Sequence, residues 1–598
     1  MLDTTVKKIW LDVLPENTDF FAFNFVPVMP LAELGDENDF IGPITTNGDE
    51  TDAIDFTAED STYRLLAPTG KLDSGVGTVK GDVSITLKDI SATHFFGINA
   101  ARGGSISANN VSITAENTQS FCFFGAGRGA DSSAGAVASV TVSLKNVNIT
   151  GAFYASGNVD VSGKTAVEFT GCTVAGFLYG GVCYDGTDST GGDVELVFNS
   201  GAYSAQIYGA GRIFNVTENV GSVSLTGAVK MTLAGGDFTY FIFGGATACS
   251  ASAAAASYTV TNGVAITVSG ANCIGTIYGG GYSCSKNGTG SATSLVENGV
   301  VITLKNGTVA DLYAGGLNVF DAGLSKVTGG VLVQVTGLGL REGREPLVIG
   351  NIYGGGRNIS ATGTCVVDGG SSIVVGGSFN KITIANIYGG GRGAGSSVNG
   401  GSEITFIGRY TGANAANLVI TGVVSGNGAN GAVVNGERVL GFNNFNGEIS
   451  ARFQDFTVIT ADGYSTANLS GMNNDFSSVK EIFYNFSHSQ PMSEEDSVLK
   501  LSSGVSFSEE LIITVVSQFR DSTDARYTLL SSELSLEHLI GVDYNLDVPL
   551  FGDKFSAAIG DGQVWSYYGY DISLELGVAA GGEWRLELVT TPTGGFIA

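Results

Sequence analysis

The chain has 598 residues, with 57 Asp and Glu against 29 Lys and Arg, so its net charge is −28 and its pI lies near 4.3. That balance removes the basic face from which nucleic-acid binding draws most of its affinity, and it disfavours adsorption to anionic lipid. Glycine is abundant at 89 residues, charged residues make up only 14%, and no run of 18 apolar residues offers a transmembrane helix.

Residues 1–78 read as an N-terminal cap and an acidic loop. Met1 to Lys8 does not lead into the apolar core of a signal peptide, because Asp12, Glu16 and Asn17 intervene, so no export signal is expected in this chain. Val6, Ile9, Trp10, Val13 and Leu14, then Phe20, Phe21, Phe23, Phe25 and Val26, offer apolar surface to cover the open end of a solenoid. Glu33 to Asp60 holds ten acidic residues and no Lys or Arg. Carboxylates suit calcium, but the spacing fits neither an EF-hand loop nor the calcium-binding nonapeptide. The stretch reads as a solvated loop, and no metal or cofactor is expected.

Residues 79–440 carry a repeat. An aromatic residue followed by glycine or alanine recurs at Phe96, Phe124, Tyr154, Tyr179, Tyr208, Phe243, Tyr278, Tyr313, Tyr353 and Tyr388, with most later copies 35 residues apart. That period belongs to solenoids and propellers. Strands of period two precede the aromatics, such as Val83-Ser84-Ile85-Thr86-Leu87 and Val264-Ala265-Ile266-Thr267-Val268, and a weaker third strand follows, as in Tyr258-Thr259-Val260. Three strands and three turns per unit fit a coil of a right-handed parallel β-helix better than a four-stranded propeller blade. The glycines would turn the corner at positive φ, and the aromatics of successive coils would stack about 4.8 Å apart. About ten such coils are expected.

Within the repeat, Cys249 and Cys284 are 35 residues apart at equivalent places, which predicts either a disulfide between coils or a ladder of two small buried residues. Arg128, Arg212, Arg357 and Arg392 share the place after the glycines. They would either contact an acidic glycan or a neighbouring molecule, or bond the carbonyls of their own glycine turns. Thr247, Tyr282 and Leu317 interrupt the series. The best acidic cluster is Asp185, Asp188 and Asp193 with Glu195, and His94 beside Phe95 and Phe96 reads as a packed corner histidine. Asn110, Asn148, Asn306 and Asn358 head Asn-X-Ser/Thr triplets that matter only in a eukaryotic source.

Residues 441–598 lose the repeat but keep strand patterns, in a β-rich region that either continues the helix or forms its own domain. An apolar strand pair, then Arg526-Tyr527-Thr528-Leu529-Leu530-Ser531-Ser532, then Gly581-Gly582-Glu583-Trp584-Arg585-Leu586-Glu587-Leu588, resembles the late passenger region of bacterial autotransporters. The Tyr-Gly-Gly-Gly coils are similar to those of large repetitive surface proteins of anaerobic and gut bacteria. The resemblance implies a β-helix passenger exported to the bacterial cell surface.

The expected function is therefore an extracellular or cell-surface structural protein without catalysis: an adhesin-like passenger for a host or matrix glycan or protein, or a self-associating homo-oligomer or filament subunit. A carbohydrate-active β-helix enzyme would need two convergent acids. A tail-fibre-like trimer would need apolar ladders on an outer face.

Overall fold

The computed structural model describes residues 39–42 and 50–593, with breaks at 70–74, 99–103, 128–135, 158, 185–188, 216–220, 251–254, 286–289, 320–321, 337–345, 377–380, 472–473, 487–496, 502–504, 518–524, 534, 549–552 and 568–569. The cap expected within residues 1–38, and Arg128, Asp185 and Asp188, lie outside the described residues.

In Val83–Lys88 burial alternates, with Val83, Ile85 and Leu87 closed off from solvent and Ser84 and Lys88 exposed. Each coil repeats this strand, and each copy lies parallel and in register on the one before, from Ile54–Glu59 to Asp543–Val548. Sixteen pairings join seventeen strands. At about 4.8 Å per strand the stack runs roughly 77 Å. Its inward rows, such as Ile85, Ile113, Val142, Val167, Leu196, Met231, Ile266 and Ile302, form a continuous apolar lumen. Each buried side chain there contributes about 1.5–3 kcal/mol. A one-residue slip would turn such a row outward, so the backbone register and the hydrophobic pattern enforce each other.

Two more walls complete the coil. One carries the aromatics, as in Leu347–Tyr353 on Ile382–Tyr388. The other returns the chain, as in Ala256–Val260 on Ala292–Val296. The fold is thus an all-β parallel β-helix. Three strands per coil is one too few for the central coils. After the glycines the backbone stays extended, and Cys183–Tyr184, Arg212–Asn215, Thr247–Ser250, Tyr282–Ser285, Leu317–Asn318 and Arg357–Asn358 form a separate six-stranded parallel sheet.

The corner glycines are required for a different reason from the expected one. None of Gly354, Gly355 and Gly356 has positive φ. A Cβ on Gly354 would instead lie 2.3 Å from the Gly389 carbonyl oxygen, and one on Gly355 would lie 2.6 Å from the Gly391 nitrogen. Close approach of neighbouring coils selects glycine there. Left-handed glycines occur at the turn that closes the coil, where Gly369 (φ 100°) and Gly370 (φ 83°) sit side by side.

The coils begin before residue 79, and of the two alternatives for residues 441–598 the one observed is continuation of the helix. Ile54–Glu59 already pairs with Val83–Lys88, and Asp39–Ile41 pairs with 65–67, so the coils begin before residue 79. The acidic stretch is therefore partly coil rather than loop: Asp39 accepts two hydrogen bonds from Arg64, at 3.0 and 2.7 Å. At the other boundary, Arg438–Glu448 crosses residue 441 while pairing with Ser402–Tyr410 on one side and 458–461 on the other. Parallel coils continue to Val548. Antiparallel strands then close the end: Asp553–Ala558 covers the last coil strand, and Trp584–Pro592 pairs with both Ala525–Ser532 and Tyr570–Val578. Covered edges cannot template further pairing.

Candidate functional site: the aromatic elbow

Alternation along the aromatic wall decides where the rings go. Leu312, Ile352 and Ile387 belong to the lumen, whereas Tyr313, Tyr353 and Tyr388 point the other way, into a second apolar cluster. Tyr282 and Leu317 of the six-stranded sheet join that cluster from across the glycine corner. Aromatic wall and short sheet thus meet in a concave elbow on the outside of the helix. The rings fill it.

All ten rings form one stack, from Phe96 on Phe124 to Tyr353 on Tyr388. Successive centroids are 4.4–5.3 Å apart and successive planes 1–23° from parallel. Most of the rings are buried, and Tyr388, the last, is half-exposed. Mutual stacking occupies the faces of the interior rings, and burial pushes the hydroxyls of Tyr179, Tyr208 and Tyr278 well above the usual tyrosine range.

Three of the four arginines lean over this stack. Arg212 lies 5.6 and 5.4 Å from the ring centres of Tyr154 and Tyr179, two coils and one coil back, in cation–π contact. Arg357 faces the Tyr278 hydroxyl and Arg392 the Tyr313 hydroxyl, and both guanidiniums lower those phenols against the upward push of burial. Two residues before Tyr313, Tyr353 and Tyr388 runs a polar row: Asn351 donates to Asp311 (2.6 Å) and Asn386 donates to Asn351 (2.8 Å). Inside the corner, Ser325 and Ser396 donate to the carbonyls of Gly281 (2.9 Å) and Gly356 (2.8 Å).

Cys249 and Cys284 are register partners and both carry reduced, buried thiols, so the disulfide expectation is corrected. In-register parallel neighbours project their Cβ atoms the same way at strand spacing, about 4.8 Å. A disulfide needs about 3.8 Å. The acidic cluster is not assembled among the described residues: Asp193 accepts from the Ala228 amide (2.8 Å), while Glu195 pairs with Lys164 and, at 3.1 Å, with Lys230. His94 is buried against Phe96 and the edge of Phe121. Asn358 is buried, and its amide donates to the Ser360 carbonyl (2.8 Å), which removes it as a glycosylation site.

No protein-family model, curated protein or solved structure matches this chain. The β-solenoid is the part of the autotransporter resemblance that the structure carries. No helix among the described residues is long and apolar enough to cross a membrane.

Sequence reasoning missed the polar row and the inward serines. The recurrence of Asn-Ile-Tyr at 351–353 and 386–388 was the available signal for the first. The serines carry no such signal, because Ser325 occupies a position in its strand where the pattern calls for an apolar side chain.

Proposed function

We propose that this chain is a rigid structural rod, secreted or displayed on a bacterial cell surface, that acts by adhesion to a host or matrix glycan or protein or by self-association into an oligomer or filament. The observation that carries this reading is the seventeen-strand parallel ladder, which spends its repeats on length and on a repeated outer surface. The aromatics support it, since their faces are engaged with one another and serve packing. Of the candidate acids, Glu195 is held in outer ion pairs with Lys164 and Lys230, which supports the same reading. Electron microscopy of the purified chain, with a polysaccharide depolymerisation assay alongside, tests the proposal. Rods of about 77 Å or their filaments, without turnover, are expected. Depolymerisation of a polysaccharide at a catalytic rate would overturn it.

A further inference from the structure

Asparagine followed by glycine is a pair that can modify itself in water. The glycine amide nitrogen, with no side chain beside it, attacks the asparagine Cγ and expels ammonia. That step needs an asparagine side chain free to swing and an amide nitrogen that no partner holds. The pair recurs along these coils, and the fold treats its copies differently.

Most copies are tied down. Asn399 donates to Asp368 (2.7 Å) and Asn435 donates to Asn399 (2.8 Å), so their amides form a ladder from coil to coil. Asn262 and Asn298 donate to the carbonyls of Thr226 and Thr261, both at 2.8 Å. The side-chain oxygens of Asn427 and Asn446 accept from the Val434 amide (2.9 Å) and the Thr466 hydroxyl. Asn306 sits inside Val300–Tyr313, which pairs with a coil on each side. The nucleophile is held as well in two of these pairs: the Gly299 amide donates to Thr328 (2.7 Å) and the Gly400 amide to Asn435 (3.0 Å).

Asn430-Gly431 differs on every count. The two residues form the tip of a tight turn, whose ends are joined by the Ala432 amide donating to the Ala429 carbonyl at 3.3 Å. Both have positive φ, 54° and 84°, the type I′ geometry that Asn-Gly adopts readily. Both are exposed. Among the described residues the Asn430 side chain makes no hydrogen bond and the Gly431 amide has no acceptor. A Cβ on Gly431 would meet nothing nearer than 3.7 Å, so the turn stands clear of its neighbours. Its base is fixed, because Ala429 donates to Gly391 (2.8 Å) and accepts from Gly393 (3.0 Å).

We propose that Asn430 is a self-modification site, converted to aspartate and isoaspartate in the folded rod while the other Asn-Gly pairs of the described coils persist. The Gly431 nitrogen bonds to the Asn430 Cγ, its proton passes to a solvent base, and the Cγ–Nδ2 bond breaks as the departing nitrogen takes up a proton and leaves as ammonia. One water then opens the five-membered imide. Attack at Cγ gives aspartate, and attack at the Asn430 backbone carbonyl gives isoaspartate, which lengthens the turn by one carbon. Either product carries a carboxylate where a neutral amide stood. No contact of the Asn430 side chain is lost, so the coils on either side keep their register.

Incubation of the full chain at mildly alkaline pH, below its melting temperature, tests this, with proteolytic digestion and tandem mass spectrometry to place each deamidation. Asn430 should convert about tenfold or more faster than Asn399 and Asn435, which must wait for local opening of the coil. Isoaspartyl methyltransferase should label the same position, and N430Q should remove the main acidic species from ion-exchange profiles without changing the melting temperature. In concentrated urea the rates at Asn399, Asn430 and Asn435 should converge. The proposal is overturned if Asn430 reacts no faster than Asn399 and Asn435 in the folded chain, if another described Asn-Gly pair leads, or if the same rate ratio survives in urea, where the fold no longer selects.

Discussion

The coils before and after residue 438 stack on the same ladder yet are built differently. The earlier ones carry two cores, the lumen and the ring-filled elbow outside it. Later coils, at 458–461, Glu481–Phe486 and Ile512–Ser517, have only the lumen among the described residues, with Leu440, Ile459, Ile482, Ile513 and Tyr544 in one row. Parallel stacking persists without the aromatic and the glycines, so the motif that dominates the sequence is not what makes a solenoid. Inward alternation and backbone pairing do that. The motif builds the second, ring-filled core outside the lumen, and the chain after the later coils ends in antiparallel strands.

Substitutions can break this comparison. Tyr313→Ala, in the middle of the stack, should cost about 3–5 kcal/mol, as much as a large lumen truncation such as Ile482→Ala at about 2–5 kcal/mol. Chemical denaturation would measure both, and a loss below about 1 kcal/mol for Tyr313→Ala would show that the elbow is not a second core. Next in size, Gly355→Ala should destabilise by about 1–3 kcal/mol, because its Cβ meets the backbone of the next coil at 2.6 Å. Gly577→Ala in the closing strands, where nothing lies within 4 Å, should stay within about 0.5 kcal/mol. Equal melting shifts for the two would contradict the close-approach account of the corner.

Smaller effects sharpen it. Tyr313→Phe removes a buried hydroxyl that has no acceptor, so its thermal midpoint should hold or rise, by the equivalent of up to about 1 kcal/mol. A clear drop would show instead that the contact of that hydroxyl with the Arg392 guanidinium is stabilising. The smallest effect concerns the outer ion pairs. Lys326 and the Asn399 amide hold the Asp368 carboxyl below the usual range. Its folded pKa lies below the unfolded one, so the stabilisation is present above the unfolded value, about 3.9, and is lost as pH falls through the folded value. Asp368→Asn should therefore flatten the acid limb of the stability curve, by about 0.5 kcal/mol or less for a pair this open to solvent. An unchanged acid limb would mean that solvent has screened the pair out.

Much of the solenoid was legible in the sequence, because period-two alternation at a fixed distance from a recurrent aromatic leaves few ways to bury both. Val83, Ile85 and Leu87 could be assigned to the interior from their spacing alone. The fourth strand was not legible: a run such as Arg212-Ile213-Phe214-Asn215 is too short for its alternation to stand out from a polar loop. Nor was the reason for the glycines, since positive φ and close approach select the same residue. For Cys249 and Cys284 the period gave the register correctly but not the direction of the Cβ atoms, and that direction decides against the bridge.

The sequence by itself determined the all-β class, the parallel coil and the equivalence of the ten aromatic positions, because those follow from periodicity, which is a local property of the chain. Only the tertiary structure decided that the rings lie outside the lumen, that Arg357 and Arg392 meet in register over two buried tyrosine hydroxyls, and that the coils run on to residue 548 before antiparallel strands close them. Which side of a wall a residue faces, and which charge it meets, depends on the neighbouring coils. Those neighbours are 19 to 40 residues away along the chain and one strand spacing away in space.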